Sequence, residues 1–345
     1  MLNGVDLRAR QALAEQIRED SWEAQLNIGV AAQPTSPDRC RVRTEPMRLG
    51  STRVARAFGI EQRCTSSAGD DCLDPVGSLL VALGASVADS VVTRLTGEGC
   101  GPALVEVEPC VEFAAGGPAR LSYEVRVEGD VSVEQARRAV AAAGERGSAH
   151  RTLAEPNEIR AVVQTARDVH LTGSPVPAGT EPFTADRRRA ARVMWEVGTH
   201  VLAEVDGVHA ESDQPKQLFG ADLAPSAQEY VLAALAAEAL GYTAAAAAAP
   251  TPDGPPVSVH SSGRMDLRGP YSAQDAPAGL RNILVQLLPA DPSAVGGEGA
   301  ADPVAAMRRW LAEGDALRLV RDAHSIDVTL VLDGERMNDL SDSKE

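Results

Sequence analysis

The sequence predicts an α/β (α+β) protein in which one order of elements occurs twice. Three observations carry this expectation. Several runs alternate apolar and polar residues as strands do, and two long helices are apolar on every side. The same succession of strands, buried helix, strands and amphipathic helix also lies on both sides of a Gly/Pro/Thr-rich stretch, His170–Thr184.

In the first half, Leu7–Arg18 places Leu7, Leu13, Ala14 and Ile17 on one side of a helix. Gln25–Ala32, Cys40–Thr44 and Val54–Ile60 alternate in the strand manner, and a polar loop, Thr65–Asp74, runs into Pro75. The helix that follows, about Val76–Leu95, carries few charges on any side, which marks it as buried. Strands are expected at Ala103–Phe113 and Arg120–Glu128. Ser132 can cap an amphipathic helix with Val133, Ala136, Val140 and Ala143 on one face. A short segment, Ser148–Leu153, and a strand, Glu158–Thr165, close the unit.

The second half repeats this with strands Ala191–Glu196 and His200–Val205, a polar loop, and an apolar helix, Ala227–Ala249. Strands around Val257–Asp266 and Leu280–Leu288 follow. A helix then starts near Asp302 with Pro303 in its first turn, and His324–Thr329 leads to a last strand ending at Leu332. The implied organisation is a first repeat over 1–168, a linker over 169–186, a second repeat over 187–335 and a flexible acidic tail over 336–345.

Composition narrows the function. A net charge of -16 argues against nucleic acid or an anionic membrane as partner, because either demands concentrated Lys/Arg. The short basic run Arg187–Arg189 with Arg192 reads as a solvated face or linker. Met1–Leu13 lacks the pattern of a signal peptide, and the Ala-rich Tyr230–Ala249 contains Glu238, so a buried core helix fits better than a membrane span. A cytoplasmic protein is expected. The five cysteines, Cys40, Cys64, Cys72, Cys100 and Cys110, form no CxxC and all lie in the first third, which indicates free thiols and not disulfides or a zinc site. His200, His209 and His260 match no metal spacing, no glycine-rich phosphate loop occurs, and Trp195 and Trp310 read as core or interface aromatics. Neither a cofactor nor a metal is expected.

Several strings resemble one family. Ala224–Glu238 (APSAQEYVLAALAAE) looks like the start of the buried helix in the OsmC/Ohr family (osmotically inducible / organic hydroperoxide resistance), and Asp74–Ser86 (DPVGSLLVALGAS) resembles the same block. Val125–Asp130 (VRVEGD), Glu134–Ala142 and Ser148–Leu153 (SAHRTL) are similar to the family's closing segments. Leu2–Asp20 and Gly263–Ile283 resemble parts of its longer members. The resemblance implies two tandem OsmC-like domains forming an intramolecular pseudo-dimer, with central buried helices wrapped by curved antiparallel sheets and two non-equivalent pockets. A homodimer of the whole chain remains open.

The resemblance also implies that the redox thiols are gone. Family members that reduce hydroperoxides use one cysteine in the buried helix and one at a later turn. Here the helix positions are Ser86 and Glu238, the turn positions Gly147-Ser148 and His324-Ser325, and Glu229 is one residue away from the family's helix-start glutamate. If Glu238 and His324 inherit the places of two thiols, a carboxylate and an imidazole meet in an apolar cavity. They could then move protons on a small organic molecule in cyclisation, dehydration, isomerisation or hydrolysis, with Tyr242 one turn away as a further donor. Ser325 would line the same pocket, and Ser86, Ser148 and His150 the first one. Other readings stay open at this level. Glu238 and His324 could satisfy each other at a retired pocket of a binding or scaffold protein, or the second repeat could be misaligned near His324. Cys64 or Cys72 could support redox chemistry, and Ser86, Asp89 and Ser90 with His150 could be a hydrolase group or a hydrogen-bonded core stripe.

Overall fold

The computed structural model describes residues 2–66, 71–164, 168–174, 183, 186–246, 257–289 and 302–337. The first half opens with helix α1 (Leu7–Glu19) and strands β1 (Gln25–Ser36), β2 (Arg39–Thr44), β3 (Met47–Leu49), β4 (Thr52–Val54) and β5 (Gly59–Arg63). Central helix α2 (Pro75–Gly97) leads to the hairpin β6 (Pro102–Phe113) and β7 (Arg120–Gly129). Helices α3 (Val133–Arg146) and α4 (Ser148–Ala154) and strands β8 (Ile159–Gln164) and β9 (Val169–Ser174) follow. The second half contains β10 (Arg187–Ala190), β11 (Arg192–Val197), β12 (His200–Val205) and β13 (Val208–Ser212), then central helix α5 (Ala227–Ala246). It ends with β14 (Val257–Asp266), β15 (Arg281–Pro289), α6 (Pro303–Glu313), α7 (Asp315–Arg321), β16 (Ile326–Leu332) and β17 (Glu335–Met337).

Local chemistry explains where the helices start. Asp6 accepts from Ala9 N and Asp74 from Gly77 N, while Ser132 and Gln135 form a reciprocal capping box. Asp302 caps α6, whose first residue is Pro303.

Several elements differ from the sequence reading. The expected strand Val54–Ile60 is interrupted between β4 and β5. Val169–Ser174, inside the stretch read as linker, is a strand paired with β8. The basic run Arg187–Arg189 is also a strand, paired with β6, and alternation turns Arg189 inward while Arg188 faces solvent. Glu335–Met337, at the point where fraying was expected, pairs with β16. The rest of the tail, 338–345, lies outside the described residues, as do 247–249 at the end of the expected second helix.

Among the described residues seventeen strands make two sheets, and each draws on both halves. The first runs β4-β3-β1-β14-β15-β8-β9, with β2 and β5 branching from β1; the second runs β13-β12-β11-β6-β7-β16-β17, with β10 on β6. Both are mixed and not antiparallel throughout, because β8 joins β15 and β16 joins β7 in parallel. Parallel pairs arise there because each half returns to a sheet after helices have carried the chain across.

The central helices pack against each other, with α5 on the first sheet (β1, β14) and α2 on the second (β6, β11, β12). Enclosure on all sides is why neither helix has a polar face: Pro75–Ala88 is continuously buried, as is Ala227–Leu240. By length and composition Pro75–Gly97 could cross a membrane, but 83% of its apolar window is buried in the protein. One continuous core includes Leu83, Val107, Leu235 and Val285 from the two helices and both sheets.

Within the central helices close approach matters at Gly241, where an added Cβ would sit on the carbonyl oxygen of Cys64, just beyond β5. Helix propensity favours Gly241→Ala by about 1 kcal/mol, yet overlap with a fixed carbonyl reverses the sign, giving a net loss of about 1–3 kcal/mol. Urea unfolding checks this; an unchanged or higher midpoint would show that α5 and β5 can separate freely.

Candidate functional site

Each central helix directs one side chain at the turn between the two helices that follow it in its own half. In the first half that side chain is Ser86 of α2. Its Oγ accepts from Ala149 N at 3.1 Å, at the start of α4, and lies 3.4 Å from Ser148 Oγ. Gln228 of α5 donates to Ser148 Oγ from the other half. In the second half the corresponding side chain is Glu238 of α5. Its carboxylate accepts from Ala316 N at 2.9 Å and Leu317 N at 3.0 Å, both in the first turn of α7. Trp310 Nε1 donates to it at 3.0 Å and Ser66 Oγ at 3.3 Å.

The second turn is therefore Gly314-Asp315, and the pairing of Glu238 with His324 needs correcting. His324 lies beyond α7, where its Nε2 faces Arg318 O at 3.4 Å and its backbone N donates to Leu153 O. Neither residue is a partner of the other. Burial holds the His324 imidazole below its usual range. Ser325 is exposed, and Tyr242 is only partly buried and makes no hydrogen bond to Glu238. Burial, with Glu238 beside it, pushes the Tyr242 phenol up.

A signal for the true turn is present in the sequence. Gly147-Ser148-Ala149-His150-Arg151 and Gly314-Asp315-Ala316-Leu317-Arg318 share Gly, Ala and Arg at equal spacing. The glycines have a common reason. A Cβ on Gly314 would meet Glu238 Oε2 at 2.6 Å, and one on Gly147 would lie 3.4 Å from Ser86 Oγ and collide with Ala143 O.

The Glu238 site is closed. Burial raises the carboxyl's affinity for a proton, and the amides of α7 and the Trp310 indole oppose this by favouring the charged form. All four donors point inward, which makes the group a helix cap shared between two elements. By contrast, Ser86 and Ser148 line an open cavity of about 440 Å³ together with Gln228, Asp89, Arg10 and Tyr271. Arg10, Tyr271 and Gln228 were not picked out from the sequence as lining residues, since they come from α1, the loop after β14 and the opposite half.

Among the described residues no base serves Ser86. His150 is turned away, with Nδ1 3.2 Å from Tyr123 Oη and the two rings edge to face at 5.7 Å. Asp89 is held by Thr93 Oγ1 and by Arg10. The Ser/His/Asp grouping is thus not assembled, and the Ser90 hydroxyl donates to Ser86 O as a helix-internal bond. All five thiols are buried and unpaired. Hydrogen bonding to Cys64 and burial raise Cys40, and burial raises Cys72, which disfavours the reactive thiolate at both. Among the described residues no group of three or more His, Cys, Asp or Glu could hold a metal ion.

At the starts of the central helices, arginines join the halves. Glu229, at the start of α5, takes two bonds from Arg56, at 2.7 and 3.1 Å, and one from Ser226 N at 2.6 Å. Asp74, at the start of α2, receives Arg189 at 2.7 and 3.1 Å while it caps Gly77 N. Glu229 is therefore fully buried in an ion pair that crosses between halves.

A comparison with protein-family models, curated proteins and solved structures gives no match to this chain.

Two outcomes follow. Glu238→Gln sets an NH₂ group among N–H donors and should destabilise the fold by about 2–4 kcal/mol in chemical denaturation; a variant as stable as the parent would refute the capping role. His150, driven down to about 4 from 6.5 chiefly by burial and then by Arg151, is neutral in the fold while the unfolded chain takes up a proton. Its contribution is complete above pH 6.5 and declines as the pH falls towards 4, by about 2 kcal/mol between pH 7 and 5. Stability measured at both pH values should fall less in His150→Gln; equal falls would contradict a neutral, buried imidazole.

Proposed function

We propose that the chain is a tandem duplication of an OsmC-like unit, folded as an internal pseudo-dimer, that binds a small organic molecule beside Ser86 without thiol redox chemistry. The duplication is supported by strand order. In one sheet β5-β2-β1, β14-β15 and β8-β9 stand in sequence; in the other β13-β12-β11, β6-β7 and β16-β17 occupy the same places with the halves exchanged. Reciprocal arginine pairs at the starts of α2 and α5 and the shared Gly-x-Ala-x-Arg turns agree with it.

The observation that carries the functional reading is the difference between the two turns. At one, a small hydroxyl opens onto a cavity of about 440 Å³, a volume suited to a small ligand. At the other, a carboxylate saturated by four donors acts as structure. Acid–base work by Glu238 and His324 has no support in this geometry. Peroxide reduction lacks a thiol at either turn. Binding in the first cavity is the function that remains.

Ligand-observed NMR with a set of small cyclic acids, amides and alcohols tests this. Binding should be seen with the parent chain and be lost in Ser90→Trp, which fills the cavity from a partly exposed position, while circular dichroism confirms that the variant folds. Fragments that bind both proteins equally, or neither, would refute the assignment.

A further inference from the structure

Resting on that reading, we infer that the ligand carries a carboxylate, received between Arg10 of α1 and Arg146 at the end of α3. Arg10 lines the cavity, and its guanidinium donates no hydrogen bond to any described residue; Nη1 is buried and lacks a hydrogen-bond partner. Nη1 is 3.6 Å from Asp89 Oδ1, close enough for attraction and too far for a hydrogen bond. The group is held in place over the Tyr271 ring, 4.9 Å from its centroid. A buried donor without an acceptor is costly, and a ligand that supplies the acceptor recovers that cost on binding.

Arg146 also lines the cavity, and no ion pair or hydrogen bond engages its side chain among the described residues. The other charges are already committed. Glu98 is shared by Arg94 at 2.9 Å and by Arg138 at 2.7 Å, while Asp89 accepts from Thr93 at 3.2 Å. Three guanidiniums and two carboxylates line the cavity, in a chain whose net charge is -16. A local surplus of positive charge on so acidic a protein is what an anionic ligand requires. The planar guanidinium fork matches a carboxylate in two parallel bonds, which a neutral amide cannot reproduce. Apolar Met265, Leu267 and Pro270 on the remaining wall suit a hydrocarbon body behind the acid group.

The test titrates phenylacetate and cyclohexanecarboxylate, their two amides, and inorganic phosphate into the intact chain by calorimetry. The acids should bind at least about tenfold more tightly than the amides. Arg146→Gln, which removes a partly exposed and unpaired side chain, should erase most of that difference at unchanged thermal stability, and Arg10→Lys should reduce it. Amides that bind as well as the acids would overturn the inference yet leave the cavity assignment standing. Phosphate that displaces the acids with equal strength would reassign the site to phosphoryl groups and also overturn it. Failure of acids and amides alike would remove the cavity reading itself.

Discussion

The fold depends on two apolar helices that must be covered on every side, with each held at its first turn by an arginine from the opposite half. An all-round apolar helix cannot lie on a surface, so α2 and α5 can be satisfied only between two sheets and against each other. Each helix start then presents buried amides and a buried carboxylate, Asp74 or Glu229, that need a cation in turn. Arg189 and Arg56 provide it across the divide. Removing either arginine would leave a buried carboxylate without its cation, a more severe loss than that of a surface pair. Because the clamps are reciprocal, neither half can complete its central helix without the other. The exchange of strands between sheets is the same constraint expressed in the backbone.

Within that frame the two turns show how a single position decides between space and structure. A short α-helix that begins inside a protein has amides to satisfy. Ser86 offers one hydroxyl to the start of α4 and leaves volume unfilled. Glu238 is longer and carries two acceptors, so it reaches two amides in the first turn of α7 and also the indole of Trp310, and the volume is consumed. Gly314 has to lack a side chain because the carboxylate stands where its Cβ would be. The asymmetry of the chain therefore begins with the one residue that each central helix turns towards the two helices that follow it.

Much of the fold was legible in the sequence because it rests on local chemistry: the alternation of β6 and β7, the cap at Ser132, the helix starts marked by Pro75 and Pro303, and the unbroken apolarity of α2 and α5. What was hidden is what depends on partners distant in the chain. Arg187–Arg189 looks like a charged surface run until pairing with β6 turns Arg189 towards Asp74. Sheet composition could not be read from element order, since order does not say which half supplies a neighbouring strand. The candidate site was half legible. Ser86 and Ser148 were read as pocket-lining and Glu238 as a catalytic group, and each stands beside a turn between two helices, but the second turn was placed at His324. A serine following a histidine was matched to the first turn, whereas glycine, fixed by the room its neighbour requires, was the better marker.

The same reasoning explains why the open cavity lies at the Ser86 turn. Its walls come from α1, α2, the end of α3, the start of α5 and the loop after β14, so both halves contribute to it. In the second half, Glu238 draws α6 and α7 inward through Trp310 and the α7 amides, and Arg187 from β10 pairs with Asp315 beside them. A carboxylate buried there is tolerable only while every donor stays in place, so that turn has to be rigid. The hydroxyl at Ser86 makes no such demand, since a neutral group with spare hydrogen-bonding capacity can exchange partners at little cost. Rigidity at one turn and latitude at the other follow from charge alone, and a ligand can be admitted only where the protein does not already need every bond.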